Sequence, residues 1–291
     1  MSGNDGFGLD KRQMRRAFDR AAESYDAAAE LQYEIGDRLL ERMDFIRLRP
    51  RRILDLGSGT GHFSTALLAR YRAAEVVALD IAPGMLAHTR ARGGWLRRPR
   101  CVCADAERLP FAVDSFDFVF SNLMLQWSTD LERTFTELRR IVAPGGLLMF
   151  TTFGPDTLQE LRASWAAADG YTHVNRFTDL HDIGDLLLQT RWAGPVMDSE
   201  RITVTYRELA RLLDDLRRIG AHNVTQGRPR GLTGHRRWRR FVEAYEGQRD
   251  RGVLPASYEV VYGHAWSPVN KHTQAGTPEV PLASLQRRGK D

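Results

Sequence analysis

Residues 54–61 read LDLGSGTG, and this stretch decides how the rest of the chain is interpreted. A short apolar run leads directly into three glycines that alternate with serine and threonine. A Gly-rich turn between a first strand and a helix lets the backbone approach a ligand closely, because glycine has no Cβ. The stretch therefore predicts a ligand-binding loop that follows the first strand of a sheet.

The spacing of the glycines narrows the choice of ligand. A dinucleotide fingerprint reads G-x-G-x-x-G and a P-loop needs a lysine after its glycines, and this loop fits neither pattern. With Asp55 two residues before the first glycine, it reads D-x-G-x-G-x-G, which resembles the motif of class I S-adenosylmethionine-dependent methyltransferases. Asp55 is expected to help order the ammonium group of that cofactor, directly or through water. The loop residues expected to pack against the cofactor are Gly57, Ser58, Gly59 and Gly61.

From residue 52 onward, predicted strands and helices alternate along the chain. Such alternation is typical of a parallel sheet with helices on both faces. We therefore predict an α/β, Rossmann-like class I methyltransferase fold: a mostly parallel seven-stranded sheet with helices on both faces and a helical cap. The strands are expected at 51–57, 75–81 and 100–106, from 115 onward, in the last part of 130–153, at 199–206 and at 255–266.

The chain is expected to form one methyltransferase domain, at 18–266, between two loose ends. Residues 1–17 are predicted to be a flexible N-terminus. Residues 267–291 contain few apolar side chains and are predicted to be a disordered tail. The predicted parts of the domain are an N-terminal helical segment at 18–45, a cofactor-binding core at 50–154, cap insertions and helices at 155–250, and the last strand at 255–266.

Polar side chains stand where the second, third and fourth predicted strands end. Asp80 is expected to accept hydrogen bonds from both ribose hydroxyls, and Asp105 with Ala106 is expected to meet the adenine. Asn122 follows the fourth strand, where the reacting methyl group would lie. Open α/β sheets bind their ligands at the carboxyl ends of the strands, so these residues and the glycine loop together indicate one cofactor site. Two neighbours of Asp80 complete the predicted set: Ile81 and Met85.

Several further blocks resemble those of a narrower family. From about Phe18 to Trp266 the chain is similar to the malonyl-[acyl-carrier protein] O-methyltransferases of biotin synthesis. The resemblance implies that S-adenosylmethionine methylates the free carboxylate of a malonyl group carried on an acyl carrier protein, which masks its charge for chain elongation. The blocks that carry it are SNLMLQW (121–127), FTTFGPDTLQEL (150–161), HVNRF (173–177), LRRIGAHN (216–223) and YEVVYGHAW (258–266).

The implied reaction sets modest chemical requirements. A malonyl carboxylate is ionised at neutral pH, with a reference pKa of about 4, so its methylation needs no general base. An acidic acceptor does favour a cation, and Arg176 in HVNRF is our candidate, although a surface arginine is an equal interpretation. Tyr25 is expected to hydrogen-bond the acceptor or the cofactor carboxylate, unless it only packs its helix. Gln126 is expected to shape the methyl site.

The composition of the chain limits its expected location in the cell and the kinds of partner that it can bind. The chain has 291 residues, a formal net charge of +5 and two cysteines, Cys101 and Cys103, which are too close to staple a fold and lack metal-site spacing. No secretory signal or run of 18 apolar residues is present, so we expect a cytoplasmic protein that binds no metal and no membrane. Acyl carrier proteins are acidic, and a basic cluster is the candidate docking surface: Arg236, Arg237, Arg239 and Arg240.

Three alternatives remain open from the sequence. A mitochondrial complex I assembly factor, described as a protein-arginine hydroxylase, is similar over much the same length. The basic patches also suggest an RNA methyltransferase, but the chain lacks a recognisable RNA-binding appendage, and we expect no nucleic acid partner. A nucleotide-dependent dehydrogenase is disfavoured by the glycine spacing.

Overall fold

The computed structural model describes residues 8–95, 97–221, 223, 231 and 233–270. Within this part of the chain the strands form a single sheet of seven. The strands are β1 (Arg52–Leu56), β2 (Glu75–Asp80), β3 (Arg100–Cys103), β4 (Phe116–Ser121), β5 (Val142–Phe153), β6 (Ala193–Tyr206) and β7 (Leu254–Trp266). The helices are α1 (Lys11–Ala21), α2 (Glu30–Arg42), α3 (His62–Arg70), α4 (Pro83–Arg92), α5 (Leu131–Ile141), α6 (Gln159–Ala168), α7 (Leu180–Gln189), α8 (Leu209–Arg218) and α9 (His235–Glu246).

The order of strands in the sheet is β3-β2-β1-β4-β5-β7-β6. The first five strands pair in parallel, whereas β7 runs antiparallel to both β5 and β6. This mostly parallel seven-stranded sheet confirms the predicted fold class. Because neighbouring parallel strands end at the same edge, the loops after β1, β2, β3 and β4 come together there.

Helices cover both faces of the sheet, and two hydrophobic clusters result. On one face, Ile35 and Leu39 of α2 pack with Leu67 of α3 and Phe118 of β4. On the other, Phe135 and Leu138 of α5 pack with Val119 of β4 and Ile183 of α7. The central strands are buried on both faces, which explains their nearly continuous apolar sequence. Among the described residues, no helix combines the length and apolar character needed to cross a membrane.

The N-terminal prediction was wrong in its boundaries. A helix begins at Lys11 inside the segment predicted to be flexible, and the single helical segment expected from residue 18 is two helices, α1 and α2. The chain leaves the helix between them although alanines favour continuing it. Asp26 in this break accepts hydrogen bonds from the Thr60 and Tyr33 hydroxyls, both at 2.5 Å, so tertiary contacts with the glycine loop override local propensity.

The predicted cap at 155–250 also contains a strand of the sheet. β6 begins at Ala193, six residues before the predicted start, and forms the edge of the sheet beside β7. Its exposed and half-buried residues alternate, as expected of an edge strand with one face toward solvent. The predicted disordered tail lies outside the described residues from position 271 on.

Candidate active site

The glycine loop turns sharply between β1 and α3. Gly57 and Gly61 adopt left-handed φ angles of 75° and 83°, and a Cβ at either position would collide with Met124 or Thr89. The backbone N–H groups of Gly57 and Ser58 both donate to the Leu79 carbonyl of β2, at 2.8 and 3.0 Å. These hydrogen bonds hold the loop against the end of β2. The left-handed φ angles and the close neighbours explain why the sequence has glycine at positions 57 and 61.

Asp80 at the end of β2 ties this loop to the next one. Its Oδ2 accepts a hydrogen bond from the Gly59 N–H at 2.9 Å, and its Oδ1 accepts one from the Ala82 N–H at 2.8 Å. Burial raises the pKa of Asp80 to about 6, although these N–H donors oppose the shift. Each carboxylate oxygen has a second lone pair, so the side chain can still accept hydrogen bonds from a ligand.

Asp55 lies beneath the loop rather than along the cavity described below. It is 2% exposed, and the Ser64 hydroxyl of α3 donates to its Oδ2 at 2.5 Å. Burial raises the pKa of Asp55 to about 7, and the nearby charge of Asp80 adds to that shift. Asp55 is not among the residues that line the cavity, and its role in ordering the cofactor ammonium, directly or through water, stays a prediction.

Asp105 follows β3 and meets a residue that sequence reasoning missed. Lys11 of α1 forms ion pairs with Asp105 at 2.6 Å and with Glu107 at 2.5 Å. The N-terminal helix is thereby attached over the carboxyl edge of the sheet. A signal for this helix was present in the sequence: Asp10 and Gln13 have the spacing of a capping box, and Asp10 Oδ1 accepts from the Gln13 N–H at 3.1 Å.

Asn122, after β4, links the sheet to α2. Its Nδ2 donates to the Gln32 carbonyl at 2.8 Å, and its Oδ1 accepts from the Thr151 hydroxyl at 2.6 Å. Both ends of the amide are thus held in place. Gln32 is brought to the same edge by this contact, which nothing in its sequence neighbourhood predicts.

One cavity, here called the loop cavity, runs along these strand ends and encloses about 940 Å³ of empty space, including its open mouth. Most of the predicted cofactor residues line it, and so does Tyr25 from the break between α1 and α2. Tyr25 is partly buried, and burial raises the pKa of its hydroxyl above the usual value, so it stays neutral. The predicted residues along the loop cavity are Tyr25, Gly57, Gly59, Asp80, Ile81, Met85, Asp105, Ala106, Asn122 and Gln126.

Some residues that line the loop cavity without having been predicted come from α1, α2 and the segment after α8: Lys11, Met14, Phe18, Gln32, Ile219 and Ala221. Others belong to the strands and loops of the sheet, among them Leu79, Leu123 and Met124. Ser58 and Gly61, in contrast, belong to the loop but lie outside the lining. Ser58 is 8% exposed, and its hydroxyl has no hydrogen-bond partner among the residues that the structure describes.

Two further cavities adjoin the loop cavity. The apolar cavity, lined among others by Phe153, Leu161 and Val174, shares Gln126 with it. The polar cavity, which includes Thr129, Thr152 and Arg176, also contains Gln126. Gln126 is held by its Nε2, which donates to the Leu123 carbonyl at 2.6 Å. It therefore stands where the three cavities meet, whereas Arg176 is an exposed residue of the polar cavity.

A family model described as a methyltransferase domain matches residues 54–150, from the glycine loop through most of β5. The malonyl-[acyl-carrier protein] O-methyltransferase of Gallionella capsiferriformans (strain ES-2) is 51% identical over 276 residues, which cover 93% of this chain and 95% of the relative. The chain belongs to this family of O-methyltransferases. The enzyme of the same name from Halorhodospira halophila (strain DSM 244 / SL1) is 50% identical over 96% of this chain and 93% of its own length.

More distant malonyl-[acyl-carrier protein] O-methyltransferases match along the same extent. The relative from Legionella pneumophila subsp. pneumophila (strain Philadelphia 1 / ATCC 33152 / DSM 7513) is 42% identical over 95% of this chain and 98% of its own length. These matches confirm the resemblance stated from the sequence blocks. They also confirm that the chain is an O-methyltransferase whose methyl donor is S-adenosylmethionine, as the methyltransferase domain indicates.

Solved structures support the fold alone. The YcgJ protein from Bacillus subtilis aligns with a TM-score of 0.57 at 16% identity, over 79% of this chain and 97% of its own. A phosphoethanolamine N-methyltransferase 2 from Haemonchus contortus, solved with S-adenosyl-L-methionine, aligns with a TM-score of 0.52 at 19% identity, over 86% of this chain and 57% of its own.

The loop cavity fits S-adenosylmethionine as an O-methyltransferase of this family requires. Gly57 and Gly59 leave room for close approach, because they present no side chain to the cavity. Asp80 offers acceptors of the kind that two ribose hydroxyls need. Ile81 and Met85 provide apolar surface for a purine ring. Each of these residues lines the same space.

Proposed function

We propose that this protein transfers a methyl group from S-adenosylmethionine to the free carboxylate of malonyl-acyl carrier protein, an early step of biotin synthesis. The observation that carries the proposal is identity of 42–51% to enzymes of this name over more than nine-tenths of the chain. The cavity at the carboxyl edge of the sheet supports it. The relatives favour this activity over the protein-arginine, RNA and dehydrogenase alternatives.

The chemistry follows from the residues along the loop cavity. When bound, S-adenosylmethionine supplies an electrophilic sulfonium methyl group. The acceptor carboxylate is already ionised at neutral pH, so the chain has to align it with that methyl group and exclude water. Tyr25 stays neutral and contributes a hydroxyl that donates or accepts a hydrogen bond. Gln126, held at the junction of the cavities, shapes the position of the carboxylate.

Arg176 remains the residue that we propose as the cation for the acceptor carboxylate. It lines the polar cavity together with Gln126. A guanidinium there attracts an anionic acceptor toward the junction, where the methyl site is proposed.

We also propose that the acyl carrier protein docks on α9. Arg236, Arg237, Arg239 and Arg240 are exposed on this helix. Arg237 lies over the ring of Tyr171 at 5.5 Å, and Arg239 pairs with Glu243 at 3.7 Å. The helix carries more arginines than glutamates, so its charge remains positive. Such a surface complements an acidic partner and would steer its approach. A cytoplasmic location is part of the proposal, since the proposed acceptor belongs to fatty-acid synthesis.

The deciding experiment is mass spectrometry of malonyl-acyl carrier protein after incubation with the purified protein and S-adenosylmethionine. We expect a gain of one methyl group that an esterase removes. Acetyl-acyl carrier protein, which has no free carboxylate, is the matched control and should remain unchanged. No gain on the malonyl form, with cofactor binding intact, would reject the proposed acceptor.

A further inference from the structure

The apolar cavity lies directly beside the proposed site of methyl transfer. Its empty space is about 570 Å³. Six residues line both this cavity and the loop cavity, so the two spaces adjoin: Gln32, Gln126, Trp127, Phe153, Ile219 and Ala221. A ligand whose reactive end lies at Gln126 can therefore extend away from the cofactor into the apolar cavity.

The lining suits a long, uncharged ligand. Leu158, Leu161 and Leu216 supply apolar walls. Two of the described lining residues have ionisable rings, His173 and Tyr258. The Nε2 of His173 lies 2.9 Å from the Asp169 carboxylate, so it is already paired, and burial raises the pKa of Tyr258 well above its usual value, so its hydroxyl stays neutral. The remaining polar groups of the lining are amides and hydroxyls.

Two of these amides have buried oxygens that no described residue bonds. Gln32 is 8% exposed and Asn175 is 9% exposed, and within the described part of the chain neither Gln32 Oε1 nor Asn175 Oδ1 has a hydrogen-bond partner. Both residues line the apolar cavity. Buried polar groups of native proteins almost always bond to something, so these amides point to a ligand that itself carries amide groups.

The far wall of the apolar cavity leads to the basic helix α9. His173 stacks on Trp165 at 3.8 Å, and Trp165 stacks on Phe241 of α9 at 4.0 Å. Tyr171, two residues before His173, lies under Arg237. The segment at 171–175 thus has the apolar cavity on one side and the arginine surface on the other.

We propose that the apolar cavity holds the pantetheine arm of the acyl carrier, with Asn175 and Gln32 bonded to its two amide groups. This inference rests on the proposed function. The arm is a neutral chain of methylenes, two methyl groups, one hydroxyl and two amides, which matches the apolar walls, the amide pair and the hydroxyls of the lining. Its thioester end then lies at Gln126, beside the methyl site, and its phosphate end emerges toward the arginines of α9.

The test combines a substrate that lacks the two amides with side chains that lack the amide group. Malonyl-pantetheine carries both amides, whereas the ethyl thioester of malonate carries neither. We expect Asn175→Leu and Gln32→Leu each to lower kcat/KM for malonyl-pantetheine by about 3- to 10-fold, the effect of one hydrogen bond. Asn175→Leu should leave kcat/KM for the ethyl thioester unchanged, and Gln32→Leu should lower it less than it lowers kcat/KM for malonyl-pantetheine. Gln189→Leu, on the exposed face of α7, is the matched control.

Equal losses on both substrates, or losses on neither, would overturn the inference while leaving the proposed function in place. Thermal unfolding and cofactor affinity are measured for every variant, and Asn175→Ala, which also lacks the amide oxygen, replaces Asn175→Leu if the latter does not fold. If the wild-type protein methylates no malonyl thioester, the proposed function fails. Pantetheine binding measured by NMR then decides: weaker binding by Asn175→Leu supports the inference, and no binding by the wild type rejects it.

Discussion

The Asp80 carboxylate accepts a hydrogen bond from the backbone N–H of Gly59 at 2.9 Å. The residue that ends the second strand thus positions the loop that follows the first. The same side chain faces the loop cavity, so a single carboxylate both shapes the site and is available to a ligand. This relationship makes Asp80 the first residue to test.

We expect Asp80→Asn to weaken S-adenosylmethionine binding by about 10- to 100-fold, since charge-assisted hydrogen bonds are lost to the loop and to the ligand. Isothermal titration calorimetry measures the change. Asp182→Asn, on the exposed start of α7, is the control and should bind as the wild type does. Binding by Asp80→Asn with wild-type affinity would remove Asp80 from the cofactor site.

Asp55 gives a prediction about stability and pH. Burial raises its pKa to about 7 from an ordinary value of 3.8, so the folded protein holds a proton that the unfolded chain has released. The unfolding free energy contributed by Asp55 is therefore fully present below pH 3.8 and is lost as the pH rises through about 7. Asp55→Asn cannot ionise and escapes this loss.

Thermal unfolding should show the effect directly. We expect the Tm of Asp55→Asn, relative to that of the wild type, to be about 3 °C or more higher at pH 8 than at pH 5. The asparagine can still accept the hydrogen bond of Ser64. A Tm difference that does not change with pH would mean that Asp55 is ionised throughout this range.

Tyr25 is expected to act as a neutral hydroxyl. Tyr25→Phe should lower kcat for malonyl-acyl carrier protein by about 10-fold, the effect of a hydrogen bond to a charged group, with little change in the cofactor Kd. Because burial raises the pKa of Tyr25 above its usual value, the wild-type rate should show no ionisation of this group up to about pH 10. If Tyr25→Phe has the same kcat as the wild type, the role of Tyr25 is to pack against its neighbours.

Lys11 is expected to hold α1 over the loop cavity. Its ion pairs with Asp105 and Glu107 are partly shielded from water, so Lys11→Met should weaken cofactor binding by about 3- to 10-fold. Lys11→Arg retains the charge and should recover most of the affinity. Titration calorimetry at low and high salt checks the cause, because the wild-type advantage should shrink as salt increases.

The basic face of α9 should determine carrier binding. Replacing Arg236, Arg237, Arg239 and Arg240 with glutamate should raise KM for malonyl-acyl carrier protein by about 10-fold or more, because like charges now meet. The Kd for S-adenosylmethionine and the rate with malonyl-pantetheine should change little. If KM for the carrier substrate stays the same, the carrier docks elsewhere.

Much of the lining of the loop cavity was predictable because its residues stand at strand ends. The strands around Asp80, Asp105 and Asn122 are recognisable from their apolar runs, and parallel strands end at one edge of a sheet. The loop residues Gly57 and Gly59 were predictable for a similar reason, since a sharp turn with close backbone approach requires glycine. Local sequence patterns were sufficient to predict the place of a residue wherever a strand, or the turn directly after it, fixed that place.

Asn175 and Arg176 show what the sequence left undecided. They are adjacent, yet Asn175 lines the apolar cavity and the exposed Arg176 lines the polar cavity. Their segment is neither helix nor strand, so no periodicity predicts which way a side chain points. Its course depends on distant contacts, such as that of Phe177 with Phe153, whose rings are 5.8 Å apart.

The sequence by itself thus determined the sheet, the glycine loop and the acidic strand ends of this protein, because these follow from short-range patterns of apolar and turn-forming residues. The tertiary structure decided that Lys11 forms an ion pair with Asp105, that the Gln32 carbonyl accepts a hydrogen bond from Asn122, and that Asn175 rather than Arg176 faces the apolar cavity. These contacts join residues far apart in the chain, or depend on irregular backbone, and only the packing of the whole domain brings them together.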